Sequence, residues 1–308
     1  MEGRRRDVGN VLEMLGLEKD VTVKVQTRRV DFKEDVKIGP EAGQFPDRPE
    51  SQHLDVYNFM PSGVGKPGSA PLVIYSHGGS IRPGFNATSP FLAAIEAYSQ
   101  KAGKGMIIAA VDHRGSKSQE EKANYCLEDR VADLEVALPV IIREIIPEYA
   151  VRGVSWNGEI ILMGNSMGGH VACLASEVIR PTALILDAPA AYPLEAQNAP
   201  FGPKLTAALK SGPDAWTNSP AFDAYRHYLE IGGNAMVVEA LEDNIIPHAV
   251  TQTYLRAVPE NFRRITESVD PMRHYSLAYV TYPTGHEDIY EGELRAIVDF
   301  ATSSKNQS

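Results

Sequence analysis

Six short, nearly continuous apolar runs recur along this chain, and longer segments with helical spacing of their apolar residues separate them. The runs are PLVIYSH, GMIIAAVDH, EIILMGN, TALILDAP, AMVVEAL and LAYVTYP. Strands that are apolar without interruption are covered on both faces, and strands that alternate with helices usually pair in parallel. The pattern therefore predicts an α/β fold in which helices cover both faces of a mostly parallel sheet.

Two further strand-like runs precede these six. Val21 to Gln26 alternates apolar and polar residues as an edge strand does, and Leu54 to Met60 is the expected neighbour. We expect the two to form an antiparallel edge, which gives a sheet of eight strands. Helical spacing is seen in the segment that follows Ser166 and in residues 91–102, 127–146, 248–268 and 288–301.

The chain has 308 residues, of which 43% are hydrophobic, so it can bury a large core. We predict a single domain over residues 1–308. The interval 190–233 contains Pro, Gly and aromatic residues and is too long for an ordinary connection. It is predicted to be a helical lid inserted after the sixth strand.

Composition limits the partners that the chain can have. The formal net charge of −10 does not favour nucleic acid or an anionic membrane surface. No run reaches the roughly 18 to 20 apolar residues of a membrane span, and no export signal is recognised, so we expect a cytoplasmic protein. Cys126 and Cys173 are expected to be reduced core thiols. The expected partner is a small molecule, and the sequence does not predict an oligomeric state.

One serine lies at the junction of an apolar run and a helical segment, in EIILMGNSMGGHVACLASEV. A tight turn from strand to helix strains the backbone of its central residue, and only small residues two positions before and after it leave room for the neighbouring elements. Gly164, Ser166 and Gly168 have this spacing. The N-terminus of the following helix would point toward the serine, where its dipole stabilises negative charge. The motif indicates a nucleophilic serine.

These features resemble the α/β-hydrolase fold superfamily over roughly Val21 to Phe300. The resemblance implies an oxyanion hole in the segment VIYSHGGS after the third strand, where glycines let the backbone approach a substrate carbonyl. Gly79 and Met167 would donate their backbone N–H groups, and Ser80 belongs to the same site.

The resemblance also implies an acid and a base that activate the serine. Asp243, after the seventh strand in AMVVEALEDNIIP, corresponds to the acid of the family. Glu239 and Glu242 are close enough to compete for this role, and Asp187, after the sixth strand, is an alternative acid. His286, between the last strand and the last helix, corresponds to the base. The other histidines are expected to be structural or on the surface.

Two further motifs favour a structural interpretation. Arg114, in the VDHRGSKS turn, is expected to pair structurally with an acid near the serine instead of contacting substrate. GVGKPG matches a dinucleotide-binding pattern, but it precedes a strand and contains Pro67, whereas that site follows a strand and opens a helix. No metal-ligand motif or phosphate-binding lysine loop is seen, so no cofactor is expected.

The expected function is hydrolysis of a carboxyl ester of small to medium size through Ser166, His286 and Asp243. Tyr192, Trp216 and Phe222 in the predicted lid are candidates for substrate binding, although such rings can equally pack the lid onto the sheet. An acyl-peptidase, thioesterase or acyltransferase could use the same residues. A non-catalytic ligand-binding protein of the same fold is a further alternative.

Overall fold

A computed structural model describes residues 23–31, 53–61, 69–79, 89–115, 123–209, 214–258, 277–282, 285 and 291–303. Within these ranges eight strands form one sheet in the order β1-β2-β4-β3-β5-β6-β7-β8. The strands are β1 (Val23–Asp31), β2 (His53–Pro61), β3 (Ser69–Ser76), β4 (Ile107–Asp112), β5 (Ser155–Asn165), β6 (Ala183–Asp187), β7 (Asn234–Ala240) and β8 (Leu277–Tyr282).

The pairing of the strands agrees with the sequence pattern. β2 runs antiparallel to both β1 and β4, whereas every other pair of neighbours, from β4–β3 to β7–β8, is parallel. The prediction of a mostly parallel sheet with an antiparallel edge is therefore confirmed. Because β3 to β8 are parallel, their carboxyl ends meet at one edge of the sheet, which is where ligands bind in such folds.

The helices follow the predicted segments with some changes of boundary. They are α1 (Pro90–Lys101), α2 (Leu127–Val140), α3 (Ile146–Val151), α4 (Met167–Ile179), α5 (Pro203–Leu209), α6 (Pro220–Glu230), α7 (His248–Arg256) and α8 (Glu291–Ser303). The helix predicted over 248–268 ends at Arg256, and residues 259–276 lie outside the described ranges.

The long helix predicted over 127–146 is not uniform. A π-helical turn, Ile141–Ile145, joins α2 to α3, and Pro139 lies inside α2. Proline has no backbone N–H and its ring crowds the preceding turn, so a change of helical pitch next to it has a direct physical cause. The sequence pattern correctly located the helical segment but not this interruption.

The core has two layers, one on each face of the sheet. Leu72 and Ile74 of β3 pack into a cluster with α2, α4, α6 and α7, whereas Val73 and Tyr75 of the same strand pack with α1 and α8. Successive side chains of a strand point to opposite faces, so a strand covered on both faces must be apolar throughout. This explains the uninterrupted apolar runs in the sequence.

The interval 190–233 forms short helices and contributes to the core. Within its described part lie α5, α6 and two 3₁₀ turns, Leu194–Ala196 and Ala215–Asn218. α6 packs against α4, and its Phe222, Tyr225 and Tyr228 are buried. Most of the area of these rings thus stabilises the fold, and a lid function for the interval remains a prediction.

Two simpler expectations concern the thiols and the membrane. Cys126 and Cys173 are both free and buried, as predicted. Among the helices within the described ranges, none has both the length and the apolar character to cross a bilayer.

Glu96 is a buried carboxyl group whose ionisation should make the free energy of unfolding depend on pH. Glu96 of α1 is fully buried; its Oε1 accepts a hydrogen bond from Gln100 Nε2 at 3.1 Å, and its Oε2 has no partner in the described part of the chain. Burial raises the pKa of Glu96 from 4.5 to about 8, and the hydrogen bond from Gln100 opposes this only in part. The folded protein therefore holds this proton more tightly than the unfolded chain.

We predict that Glu96→Gln removes a loss of stability that the wild type undergoes between pH 4.5 and 8. Below pH 4.5 the glutamate is neutral in both states. Between pH 4.5 and 8 the unfolded chain loses this proton while the folded protein keeps it, so the free energy of unfolding of the wild type falls as pH rises. The free energy of unfolding of E96Q should exceed that of the wild type by an amount that grows to a few kcal/mol, roughly 4 at most, by pH 8.

Urea unfolding at several pH values measures this difference. Glu177→Gln, on the exposed side of α4, is the matched control. A difference between E96Q and the wild type that is independent of pH would contradict the prediction.

Candidate active site

Ser166 lies on a strained turn between β5 and α4. Its φ and ψ are 52° and −119°, and it is one of three non-glycine residues with positive φ in the described ranges. Its N–H donates to the Asp187 carbonyl at 2.9 Å, and its own carbonyl accepts from Gly169 at 3.0 Å and Ala190 at 2.9 Å. Such a backbone conformation is costly and persists only where neighbouring contacts determine it. The turn is the strand-to-helix elbow that the sequence predicted.

Two glycines make this turn possible by close backbone approach. A Cβ atom at Gly164 would lie 2.1 Å from the carbonyl oxygen of Gly168, and one at Gly168 would lie 1.9 Å from the carbonyl oxygen of Ser76. Neither contact can be relieved by moving a flexible side chain, because both involve backbone atoms. The glycine spacing therefore fixes how closely α4 and β5 approach the end of β3.

The glycines of the predicted oxyanion segment lie beside the elbow. The Cβ position of Gly78 is 3.3 Å from Ser166 Cβ, and that of Gly79 is 3.3 Å from Met167 Cε. The structure thus brings together Gly79, Ser166 and Met167, three residues predicted for one site. Ser166 is also followed at once by the first turn of α4, whose N–H groups favour negative charge. Ser80 lies outside the described residues.

The candidate acids differ in what holds their carboxylates. Asp243 is half-buried in the loop after β7, and its Oδ1 accepts hydrogen bonds from the N–H groups of Ile245 and Ile246 at 2.7 and 2.9 Å. Asp187 is 7% exposed, and its Oδ2 accepts from Asn165 Nδ2 at 2.8 Å. Asp187 is the last residue of β6 and pairs with Asn165 at the end of β5, whereas Asp243 follows the end of β7.

The glutamates that could compete are placed differently. Glu239 is buried in β7, where one carboxylate oxygen contacts His248 Nδ1 and the other accepts a hydrogen bond from Tyr279. Glu242 is exposed to solvent. These contacts give Glu239 a structural function, which leaves Asp243 and Asp187 as the acids to be tested.

The predicted base, His286, lies outside the described residues, so its role remains a prediction. Among the histidines that are described, His170 is fully buried, and its Nε2 lies 3.0 Å from Gln197 Oε1. Burial lowers the pKa of His170 to about 4, although the bond to Gln197 opposes the shift. This neutral, internally paired ring fits the structural role that was expected for it.

A second serine, histidine and aspartate are linked by hydrogen bonds entirely within the core. Ser76 Oγ lies 2.9 Å from His113 Nε2, and His113 Nδ1 lies 3.3 Å from Asp133 Oδ2. Burial lowers the pKa of His113 to about 4, so the ring is neutral at pH 7. All three side chains are at most 2% exposed. A substrate has no access to them, so the array is structural.

Arg114 connects this array to α2. Its Nε contacts Asp133 Oδ1, its backbone N–H donates to Asp133 Oδ2 at 3.0 Å, and its Nη2 lies 3.6 Å from Asp129 Oδ1. Burial raises the pKa of Asp133, but the charge of Arg114 and the hydrogen bond from His113 outweigh it and hold the pKa below its usual value. The expectation that Arg114 pairs structurally with an acid is confirmed.

Arg130 is a buried charge that the sequence analysis missed. It is fully buried in α2; its Nη1 donates to the Gly78 carbonyl at 3.4 Å, and its guanidinium lies 4.8 Å from the centre of the Phe201 ring. The only signal in the sequence is the charged set Asp129, Arg130 and Asp133 within the otherwise apolar spacing of a helix. That signal gives no spatial partner, so it did not point to Gly78.

The three aromatic candidates for substrate binding have different surroundings. Tyr192 is half-buried, with its ring at an edge-to-face distance of 5.2 Å from His170. Trp216 is half-buried and lies 6.2 Å from Phe222, which is 7% exposed and packs 4.7 Å from Tyr254. Tyr192 and Trp216 are therefore only partly buried as residues, whereas Phe222 belongs to the core. Substrate contact remains a prediction for all three.

Comparisons with known proteins give structural likeness only. No family model matches the chain, and no curated protein matches it. Brefeldin A esterase, a bacterial homologue of human hormone-sensitive lipase, superimposes with a TM-score of 0.52 at 16% identity, over 98% of this chain and 87% of its own. An esterase from Pyrococcus furiosus gives 0.51 at 16% identity, over 91% and 92%.

A larger protein matches over part of its length. A candidate dipeptidyl aminopeptidase IV from Bacteroides ovatus gives a TM-score of 0.56 at 11% identity over 94% of this chain, which spans only 36% of that protein. At these identities the likeness establishes the fold alone. The chain has the α/β-hydrolase fold.

We predict that Arg114→Ala lowers the free energy of unfolding by about 3 to 5 kcal/mol, because it leaves Asp133 buried without its counter-charge. Denaturant unfolding measures the change. Arg226→Ala is the matched control, because Arg226 pairs with Asp223 on the surface and its loss should cost less than about 1 kcal/mol. A stable R114A protein would contradict the structural assignment.

Proposed function

We propose that this protein is a serine hydrolase that cleaves carboxyl esters with small to medium acyl groups through Ser166, His286 and Asp243. The observation that carries the proposal is the strained backbone of Ser166 at the N-terminus of α4, with Gly78 and Gly79 beside it. The similarity in fold to esterases and a peptidase supports a hydrolase function for this protein. Hydrolases of this fold carry their nucleophilic serine on a sharp turn between a strand and a helix.

In the proposed reaction, His286 removes the proton from Ser166 Oγ as the oxygen attacks the ester carbonyl carbon. The electron pair of the C=O bond moves onto its oxygen, where the N–H groups of Gly79 and Met167 donate hydrogen bonds. Collapse of this intermediate expels the alcohol, which takes the proton from His286. Water then attacks the acyl-enzyme in the same way, with His286 as base, and releases the acid and free Ser166.

Asp243 is proposed as the residue that orients His286 and stabilises its protonated form. Two backbone N–H groups hold one of its carboxylate oxygens, so the carboxylate has a defined direction in a loop at the edge of the sheet where the serine lies. Asp187 instead bonds the side chain of Asn165, next to the serine, which fits a role in supporting the elbow.

The exposed surface of the nearby loops favours an apolar substrate. Leu194, Leu241 and Ile245 are 61%, 56% and 58% exposed, and they lie in the segments that follow β6 and β7 at the carboxyl ends of the strands. Substrates of open α/β sheets bind at that edge. Together with Tyr192 and Trp216, these side chains would contact an apolar acyl or alcohol group, and the interval 190–233 would form the lid over it.

We predict that a fluorophosphonate probe labels the wild type at Ser166, because the probe reacts with a serine whose oxygen is activated by a base. Peptide mapping locates the label. Ser166→Ala should remove it, and His286→Ala should slow it by several powers of ten, since the unassisted hydroxyl is a weak nucleophile. Ser176→Ala, which removes another buried serine on α4, is the matched control and should leave labelling unchanged.

A folded wild type that is not labelled would contradict the proposal and would favour a ligand-binding protein on the same fold. If labelling succeeds, p-nitrophenyl esters, thioesters and aminoacyl amides of matched acyl length distinguish the reactions. Cleavage of amides or thioesters without esters would retain the serine but overturn the ester assignment.

We predict that Asp243→Asn lowers kcat for a p-nitrophenyl ester by about 10³- to 10⁴-fold, because an amide no longer stabilises the imidazolium. Asp187→Asn should lower it by at most about tenfold, since it alters only support of the elbow. Steady-state kinetics of the two purified variants measure kcat and show which carboxylate has the larger effect on it. The opposite order of the two effects would make Asp187 the acid.

A further inference from the structure

The carbonyl oxygen of Gly78 accepts from two side chains. His77 Nδ1 lies 2.7 Å from it and Arg130 Nη1 lies 3.4 Å from it. A carbonyl oxygen only accepts hydrogen bonds, so His77 must carry its proton on Nδ1 to make this contact. The Gly78 carbonyl therefore lies among buried polar side chains, one of which is the Arg130 guanidinium.

Arg130 brings a positive charge to this carbonyl, and among the described residues no carboxylate forms a salt bridge with it. Its side chain is fully buried, and its Nε and Nη2 atoms have no hydrogen-bond partner among the described residues. Burial lowers the pKa of Arg130 to about 10, although Tyr192, Asp133 and Asp112 oppose the shift, so the group is a cation at neutral pH. A buried charge whose hydrogen-bond donors lack partners destabilises a fold.

The contact between Arg130 and the Gly78 carbonyl affects the candidate site through the peptide bond between Gly78 and Gly79. The Gly78 carbonyl and the Gly79 N–H belong to the same planar, conjugated unit, so a cation that draws electron density toward the oxygen makes the N–H a stronger donor. The Cβ position of Gly78 lies 3.3 Å from Ser166 Cβ, which places this unit against the nucleophile.

We propose that Arg130 is a positioning residue that orients and polarises the Gly78–Gly79 peptide, and thereby strengthens the hydrogen bond from Gly79 to the developing oxyanion. This inference rests on the proposed function, because it assigns a task to the same site. Arg130 does not touch the substrate. It stabilises the negative charge of the transition state through the peptide, in a core from which water is excluded.

The polarisation is measurable without activity. The chain contains three Gly-Gly peptides, namely 78–79, 168–169 and 232–233. In protein labelled with 1-¹³C,¹⁵N-glycine, a triple-resonance experiment that correlates each amide with the preceding carbonyl shows only these three. Gly79→Ala identifies the signal of interest by its disappearance, since the new Cβ would meet only the flexible end of Met167 at 3.3 Å.

In Arg130→Met the Gly79 amide proton and the Gly78 carbonyl carbon should both shift upfield, whereas the distant Gly232–Gly233 signal should not move. Phe201→Leu is the matched variant, because it alters the packing under the guanidinium and keeps the charge. Its Gly78–Gly79 signal should remain near that of the wild type. If R130M does not fold, R130Q, which keeps a neutral donor, should give smaller shifts in the same direction.

Kinetics test the consequence for the reaction. R130M should lower kcat for a neutral ester by about 3- to 30-fold with KM unchanged within about twofold, since polarisation strengthens a donor that remains present. A trifluoromethyl ketone, which forms a tetrahedral adduct with an oxyanion, should lose affinity by the same factor. R130K should recover part of both effects.

Three results would overturn the inference: unchanged Gly78–Gly79 signals, unchanged trifluoromethyl ketone affinity, or a rise in KM confined to esters that carry a carboxylate. The last would make Arg130 a substrate-binding residue. Failure of the wild type to react with a fluorophosphonate would refute the proposed function instead, and the signals of R130M would still decide whether the peptide is polarised.

Discussion

The contact between the backbone of Gly168 and the carbonyl of Ser76 is the constraint on which the site depends. Because a side chain at either Gly164 or Gly168 would overlap backbone atoms, the first turn of α4 lies directly against β5 and the end of β3. This close approach places Ser166 and Met167 beside Gly78 and Gly79. The sheet and its two core layers hold these backbones so that the strain at Ser166 persists.

Buried charged side chains also hold the end of β3, next to Gly78 and Gly79. Asp133 of α2 links His113 and Arg114 after β4 to Ser76 at the end of β3. A loop at the edge of a parallel sheet has few ladder hydrogen bonds, so side chains must fix it. The cost of burying Asp133 is offset by several hydrogen bonds and by its counter-ion. For Arg130, in contrast, the described residues offer no hydrogen-bond partner to Nε and Nη2, and its Nη1 donates to the Gly78 carbonyl.

The sequence predicted those features that depend on local pattern. Strands covered on both faces must be apolar throughout, and an elbow needs glycine at fixed spacing, so β3 to β8 and Ser166 were found from the residues alone. The interruption of the helix near Pro139 was missed, because spacing of apolar residues does not distinguish α- from π-helical pitch over one turn. The link from Arg130 to Gly78 spans 52 positions and has no local signature.

The aromatic residues of the interval 190–233 illustrate why substrate preference is harder to predict than chemistry. Phe222 and Tyr225 lie on one face of α6 and fill the core against Tyr254, whereas the neighbouring Trp216 and Tyr192 remain half-buried. In sequence these rings are not distinguished, since all four are aromatic residues of the same interval, 190–233. Whether a ring joins the core depends on how its own segment packs, as α6 does on α4, and this packing is a tertiary property. The side chains available to contact a ligand are therefore those that the packing leaves exposed. In this fold these side chains can differ between proteins while the serine turn and the residues that hold it stay the same.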